Sequence, residues 1–408
     1  MDFDDTPEEA AYRAEVRAWL SRHAKPKDAS SARPVMLTDA YSEAEQAHVR
    51  EAQAWQALCY DEGWAGITWP TEYGGRGGSV IDQIIFNQEA RHYDVPGSVF
   101  AQGIGMAGPT LMAYGTDAQK ERFLRPMLRG EELWCQLFSE PGAGSDLAAL
   151  GTAAVKDGDE WVVNGQKVWT SSAQYADYGI LLTRTDPDAP KHRGITYFLV
   201  DMRSPGIDVR PLRQITGSAH FNEVFLADVR IPDSNRVGDV NDGWRVTMTT
   251  LTSERNLIGG NQGDRAGELI ELARENDRSD DPLVRQDLAR VYTRQQLITY
   301  LGWRTLSDIS QGRQPGPWSS LAKLALSEHL SLIGDLALSL QGAAGMLFPP
   351  SGDGNYWGQL FLGQWSSKLG GGTEQVQRNI IGERILGLPG EPRTDREVSW
   401  REATRPKS

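Results

Sequence analysis

The chain has 408 residues, is 39% apolar and carries a formal net charge of −13. Its length allows two or three domains around a large core, and an acidic excess without a basic stripe predicts no binding to nucleic acid. The acidic start, residues 1–5, is unlike a signal peptide, and no apolar run approaches the ~20 residues of a membrane span. We therefore expect a cytoplasmic protein with no membrane association. Cys59, Cys135 and six scattered histidines predict reduced, buried thiols and no metal site.

The first third of the chain has helical signals. Apolar residues at near-helical intervals over residues 8–20 follow the start signal Thr6-Pro7 and predict an amphipathic helix. Residues 24–34, rich in Lys, Pro and Ser, predict a surface loop, and a further helix is expected over residues 42–62. The glycine cluster at residues 74–78 lacks the Gly-Lys-Ser/Thr ending of a phosphate loop, so a tight turn between helices is expected.

From Trp134 to Pro232 the apolar period changes to two and predicts a block of strands. Asn164-Gly165, between two half-apolar runs, predicts a hairpin turn. Residues 139–146, Ser-Glu-Pro-Gly-Ala-Gly-Ser-Asp, follow the first apolar strand, and we call them the glycine loop. Their small side chains would let a ring or a phosphate approach the main chain; the alternative is an ordinary strand-ending turn.

After residues 241–243 the pattern is helical again, with segments near 244–258, 264–275, 285–311, 319–341 and 374–385. Helices, then strands, then helices, with no βαβ alternation, exclude a Rossmann fold and predict an α+β protein in three parts. The expected divisions are an N-terminal helical domain (1–132), a central β domain (133–238), a C-terminal helical domain (239–390) and a charged peripheral tail (391–408).

Five strings in this order resemble the FAD-dependent acyl-CoA dehydrogenase family. They are residues 134–146, 164–171, 221–232, 341–345 and 371–379. The resemblance covers residues 3–388, nearly the whole chain. It implies N-terminal helices, a central β-barrel and a C-terminal four-helix bundle, with FAD held between barrel and bundle and completed by a neighbouring subunit.

The resemblance also implies the contacts of each site residue. Residues expected at the flavin and thioester are Gln136, Leu137, Ser139, Gly144, Ser145, Trp169 and Ser171, with Gln341, Gly345, Thr373 and Gln375 at the nucleotide and pyrophosphate. Ser145, Thr252 and Arg255 are expected to meet the substrate. Two alternatives stay open: Trp169 as a core aromatic and Arg255 as a partner in a structural ion pair.

Desaturation of an acyl-CoA needs a carboxylate that removes the α proton. Most of the family has a Glu just before the C-terminal Gly-Thr, where this chain has Gly371. Glu254 lies three residues after Leu251 and four before Ile258, so it shares a helix face with two apolar side chains. Lost solvation would make it a general base near neutral pH; the alternative is a solvated surface Glu.

The string Leu-Thr-Ser-Glu-Arg at residues 251–255 is similar to that of the isovaleryl-CoA and long-chain branches of the family, which supports Glu254 as the base. Gly371 would still supply the backbone N–H that polarises the thioester carbonyl. The family's Arg-x-x-Phe-Gly segment, which contacts FAD from the adjacent subunit, is absent from residues 272–282. Arg274 or Arg278 is the candidate replacement.

The function implied by the resemblance is FAD-dependent α,β-desaturation of an acyl-CoA. The alternatives are an acyl-CoA oxidase or flavin monooxygenase of the same fold, or a non-catalytic subunit of a heteromeric dehydrogenase. The expected partners are an electron-transfer flavoprotein and further subunits. These would form a homodimer or homotetramer, or a heterotetramer with a related chain.

Overall fold

A computed structural model describes residues 5–27, 43–96, 99–258, 265–311, 313, 316–347, 356–392, 395 and 397–404, with side chains except at 254–258, 306, 309 and 310. The chain forms two compact units. The first comprises Met1–Gln214, Ala219–Ser253 and Arg393–Ser408, and the second comprises Ile215–Ser218 and Glu254–Pro392. The predicted α+β arrangement of a helical, a sheet and a helical part is confirmed.

The first unit begins with helices. They are α1 (Pro7–His23), α2 (Glu43–Asp61), α3 (Val80–Ala90), α4 (Gly108–Tyr114) and α5 (Asp117–Arg129), with a two-stranded ribbon of β1 (Lys25–Pro26) and β2 (Tyr93–Asp94). Capping boxes at Thr6, Ser79 and Thr116 start α1, α3 and α5, because each side chain accepts a hydrogen bond from a first-turn N–H. The predicted first two helices and the tight glycine turn are confirmed. A Cβ at Gly75 would lie 2.3 Å from the Trp69 carbonyl oxygen, so only glycine fits this turn.

An eight-stranded sheet forms the centre of the first unit. Its strands are β3 (Trp134–Leu137), β4 (Ala153–Asp157), β5 (Glu160–Ser171), β6 (Tyr178–Arg184), β7 (Ile195–Asp201), β8 (Ile207–Leu212), β9 (Phe221–Pro232) and β10 (Arg236–Val237). The order is β10-β7-β6-β4-β5-β9-β8, antiparallel except where β3 and β4 run parallel to β6. Side chains from β3 to β9 share one core, which includes Cys135, Phe198 and Val224. The opposite face packs against the N-terminal helices.

The predicted hairpin turn at Asn164-Gly165 is wrong. The turn lies at residues 158–159, and Asn164-Gly165 sits inside the 12-residue strand β5 at a register shift against β9. The Asn164 side chain exchanges two hydrogen bonds of 2.9 Å with Asp228. A Cβ at Gly165 would lie 2.4 Å from the Thr152 hydroxyl oxygen. The glycine therefore serves a close approach between strands, and pairing with β9 overrides the local turn preference.

The second unit is helical. Its helices are the end of α6 (Gly243–Ile258), α7 (Arg265–Glu275), α8 (Pro282–Ser310), α9 (Trp318–Gln341), α10 (Tyr356–Leu369) and α11 (Glu374–Arg384). A shared core joins α7, α8, α9 and α10 through residues such as Leu269, Val291 and Ile333. Five of these helices were predicted, whereas α10 was missed. No helix in the described ranges is long and apolar enough to cross a membrane.

Both cysteines are free and buried, as predicted. Burial raises the pKa of Cys59 to about 12. The last described residues, which include α12 (Trp400–Ala403), pack against the first unit.

Candidate active site

The glycine loop follows β3 as a tight turn whose glycines face open space. Glu140 and Ala143 exchange two main-chain hydrogen bonds of 3.0 Å, which close the turn. Gly142 and Gly144 are exposed, and a Cβ at either would meet no atom within 4 Å. Within the described part of the chain, the N–H groups of Gly142, Gly144 and Ser145 donate no backbone hydrogen bond. The predicted turn is therefore also a row of accessible main-chain donors.

A buried ion pair supports this loop from below. The Lys167 side chain is fully buried, and its ammonium donates to the Glu140 carboxylate at 2.8 Å and to the Phe138 carbonyl at 3.0 Å. Glu140 also accepts the N–H groups of Gly151 and Thr152, at 2.7 and 2.9 Å. Burial opposes its charge, but Lys167 and these donors hold the pKa of Glu140 below its usual value. The loop is thereby fixed to β5 and to the chain that follows it.

Neither Glu140 nor Lys167 is among the site residues predicted from the sequence. The signal available was a lysine within a half-apolar strand, which is unusual because lysine is almost never fully buried unless paired. Burial lowers the pKa of Lys167, and the neighbouring Glu140 carboxylate opposes that shift. The pair is a structural support for the loop and not an exposed group of the site.

Trp169 lies beside the loop on the surface of the first unit. The Val168 N–H donates to the Ser139 carbonyl at 2.9 Å and joins the two predicted flavin segments. Trp169 has a left-handed backbone (φ 61°) at a second register shift of β5, and 57% of the residue is exposed. Its ring meets Phe221 edge-on at 6.0 Å. The core-aromatic alternative is therefore wrong, and an exposed, strained aromatic is typical of a functional surface.

The other predicted residues of the first unit differ in exposure. Ser145 is exposed, whereas Gln136, Ser139 and Ser171 are half-buried. The Leu137 side chain is fully buried in the sheet core. Any ligand contact of Leu137 would therefore use its backbone.

In the second unit, two glycines lead into the N-terminus of α11. Gly371 (φ 63°) and Gly372 (φ 86°) are both left-handed, and Thr373 caps the helix by accepting the Val376 N–H at 3.2 Å. The free main-chain N–H groups and the positive dipole end at a helix N-terminus favour phosphate. Gln375 is exposed in the first turn. These donors suit a pyrophosphate.

Family models cover most of the chain. The N-terminal, middle and C-terminal domains of acyl-CoA dehydrogenase match residues 6–131, 135–229 and 241–386. The chain belongs to the acyl-CoA dehydrogenase family. It is accordingly an oxidoreductase of the acyl-CoA dehydrogenase type.

Relatives and solved structures agree with this membership. The acyl-CoA dehydrogenase IpdE1 of Mycobacterium tuberculosis is 40% identical over 387 residues, 93% of this chain and 98% of that protein. The solved Tcur3481-Tcur3483 steroid ACAD is 32% identical with a TM-score of 0.81, covering 96% of this chain and 100% of that one. The ChsE4-ChsE5 complex from Mycobacterium tuberculosis gives 32% identity and a TM-score of 0.77 over the same shares.

The remaining predicted residues of this acyl-CoA dehydrogenase lie on the helices. Thr252 is exposed on α6, and its hydroxyl donates to the Met248 carbonyl at 2.8 Å. Glu254 and Arg255 belong to the same helix, but their side chains lie outside the described residues. Arg274 is exposed on α7 and paired with Glu271.

Gln341 and Gly345 mark the end of α9 and the short 3₁₀ helix Gly342–Met346. A Cβ at Gly345 would lie 2.9 Å from the Leu338 carbonyl oxygen, so this glycine has a packing role of its own.

The residues present in each unit fit the FAD of this family. The open glycines of the first unit leave room for a ring above the main chain. The α11 N-terminus of the second unit offers donors suited to a pyrophosphate.

Proposed function

We propose that this enzyme desaturates an acyl-CoA thioester between its α and β carbons, with Glu254 as the base. The observation that carries the proposal is the backbone at Gly371. A glycine has no side chain that could accept a proton, and the φ of 63° also disfavours a glutamate at this position. A base from another element is therefore required. Helix α6 offers Glu254 one turn after Thr250 and Leu251, both of which contact the interior of the first unit.

Each group then has one task. Glu254 removes the α proton, and the Gly371 N–H donates to the thioester carbonyl oxygen and stabilises the charge that develops there. A bound FAD would supply the acceptor for the β hydrogen, which leaves as hydride. Ser139 and Ser145 of the glycine loop orient the ring system, and Trp169 shields it from water.

The contacts to the rest of the nucleotide and the substrate follow the family pattern. Thr373 and Gln375 hold the pyrophosphate, while Gln341, Gly345 and Arg274 meet the nucleotide from a neighbouring subunit. Arg255 and Thr252 meet the substrate. An electron-transfer flavoprotein is the proposed electron acceptor, on the family resemblance alone.

Glu254→Gln tests the proposal. The variant keeps the shape of the side chain and removes its basicity, so FAD and acyl-CoA should still bind while flavin reduction slows by at least ~10²-fold. Glu275→Gln, at an exposed position of α7, is the matched control and should reduce at the wild-type rate. The base assignment fails if Glu254→Gln is also reduced at that rate. Equally fast reoxidation by air and by an electron-transfer flavoprotein would favour the oxidase alternative.

The proposed substrate class is a steroid-derived acyl-CoA. Support comes from the 32% identical structure that is named a steroid ACAD. The test is anaerobic bleaching of the bound flavin against linear, branched, aromatic and steroid acyl-CoAs. Fast bleaching by a linear acyl-CoA alone would contradict this class.

The proposed assembly is a dimer or a tetramer of two dimers. Helix α8 exposes Leu297, Tyr300 and Trp303 by 55%, 51% and 37%, and a cavity of about 430 Å³ lies beside them between α8 and α9. Exposed apolar faces of this kind mark interfaces. Light scattering with Tyr300→Glu, expected to dissociate the assembly, tests this, and a wild-type monomer that holds FAD would contradict it.

A second candidate function is that of one subunit in a heteromeric enzyme. Two of the similar solved structures carry the names of chain pairs, and the Arg-x-x-Phe-Gly segment is missing here. Flavin content of the chain expressed alone separates the two: full occupancy favours the homomer, and FAD bound only upon coexpression with a related chain favours the heteromer.

A further inference from the structure

The segment around α12 is tied to the first unit through the main chain. The Trp400 N–H donates to the Ala189 carbonyl at 2.9 Å, and the Arg401 N–H donates to the Pro187 carbonyl at 3.0 Å. Main-chain bonds of this kind fix the register of the segment independently of its side chains. The charged tail is thus a docked element, which its composition did not predict.

The Trp400 side chain contacts one short turn of the first unit. Its indole N–H donates to the Ala149 carbonyl at 2.9 Å, in the 3₁₀ turn Leu147–Ala149. A Cβ at Gly151 would lie 3.3 Å from the indole ring, so this glycine leaves space for it. The guanidinium of Arg184 lies 5.2 Å from the ring centre and donates to the Ala148 carbonyl at 2.6 Å. A ring and a buried cation therefore hold the same turn.

Two ion pairs of Lys191 stabilise the start of this turn. The Lys191 ammonium lies 2.8 Å from the carboxylate of Asp146, the last residue of the glycine loop, and 2.6 Å from that of Asp395. Burial opposes the charge, but the two carboxylates raise the pKa of Lys191 above its usual value. One cation therefore joins the loop to the tail at neutral pH.

The far side of the turn is held by the ion pair described above. The N–H groups of Gly151 and Thr152 donate to Glu140, which lies inside the glycine loop. The turn is thus fixed between Glu140 on one side and Trp400 on the other. Hydrogen bonds and ion pairs therefore connect the tail to the glycine loop at both Glu140 and Asp146.

We propose that Asp395 and residues 397–404 form a strap that keeps the glycine loop in its ligand-receiving conformation, with Trp400 as the positioning residue. The inference rests on the proposed function in that this loop receives the flavin. The strap touches no reacting group. It acts by restraining the main-chain donors of the loop before the ligand arrives, which lowers the ordering cost of binding.

Hydrogen exchange of the ligand-free chain tests the strap directly. In Trp400→Ala, the hydrogen-bonded amides of Ala143, Ala149, Leu150 and Gly151 should exchange roughly tenfold faster or more, because a hydrogen bond and ring packing are lost. Trp400→Phe retains a ring over Gly151 but no N–H, and should give an intermediate rate. Arg401→Ala removes only the exposed ion pair with Asp188 and is the control, with wild-type exchange in the turn.

Titration with FAD supplies a second readout. Trp400→Ala and a chain lacking residues 393–408 should both bind FAD about tenfold more weakly, and a peptide of residues 391–408 should restore affinity to the shortened chain. Unchanged exchange at Ala143, Ala149, Leu150 and Gly151 in Trp400→Ala would overturn the strap. So would faster exchange spread equally over β6 and β7, since that is a general loss of stability. If the wild-type chain binds no FAD, the proposed function fails while the exchange result still decides the strap.

Discussion

Replacing Glu140 by Gln should destabilise the first unit strongly. The substitution keeps the shape of the side chain and removes its charge. The Lys167 ammonium, which has no exposed surface, then keeps the Phe138 carbonyl and one neutral amide oxygen as acceptors but loses its negative partner. Because its NH2 group accepts no hydrogen bond, the Gln also cannot accept both N–H groups, of Gly151 and Thr152, that the carboxylate accepts. An unpaired buried charge is the costly outcome, because neither water nor an opposite charge solvates it.

The magnitude follows from the burial of the two partners. Breaking a buried pair on one side costs about 3–5 kcal/mol. The Glu140 side chain is 12% exposed, so we expect about 3 kcal/mol, at the lower end of that range. Lys167→Met leaves the carboxylate with the Gly151 and Thr152 N–H groups and should cost less. The double variant should be more stable than Glu140→Gln alone, because no unpaired charge remains.

Thermal unfolding followed by circular dichroism measures these differences. At roughly 2–4 °C per kcal/mol for a unit of this size, Glu140→Gln should lower Tm by about 6–12 °C. Asp61→Asn, which breaks an exposed ion pair with Arg129, is the control and should have the same Tm as the wild type. A Glu140→Gln protein that melts within about 2 °C of the wild type would refute the reasoning, as would a double variant less stable than both single ones.

Three further substitutions test other parts of the fold. Burial lowers the pKa of His329 to about 4, so His329 of the unfolded chain is protonated at a higher pH than His329 of the folded chain. As the pH falls from ~6.5 to ~4, up to about 3 kcal/mol of folding free energy is therefore lost. His329→Leu should make Tm less dependent on pH over this range. Gly165→Ala brings a Cβ against Thr152 and should cost about 1–3 kcal/mol in urea unfolding; an unchanged midpoint contradicts the close approach. Glu89→Gln weakens the ion pairs with Arg13 and Arg17 and should cost about 1–2 kcal/mol, measured in the same way.

Local signals were sufficient where the structure is local. The start signal Thr6-Pro7 correctly predicted α1, and the cap itself is local, because the Thr6 and Glu9 side chains reciprocally cap the helix three residues apart. The hairpin prediction at Asn164-Gly165 was wrong because the Asn164 side chain bonds to Asp228, 64 residues away. Helix α10 was missed because Gly358 and Gly363 weaken its intrinsic preference, whereas packing against Ile333 and its neighbours on α9 decides its structure.

The candidate site divides in the same way. The glycine loop was predicted because its composition alone makes an open turn. Its supports were not, because each of them joins distant residues. Lys167 lies 27 residues after Glu140, and Trp400 lies 251 residues after Ala149. Neither pairing leaves a periodic pattern in the sequence.

The docking of Trp400 has a consequence for the order of folding. During synthesis, the residues of α12 leave the ribosome after the entire second unit, although they complete the first. The sheet can therefore assemble early, whereas the turn at Ala149 must wait for a contact of very long sequence separation, which is slow to form. A nascent first unit would carry a loose glycine loop until translation reaches Trp400. On the strap proposal, the glycine loop would become ordered only after the second unit has been synthesised.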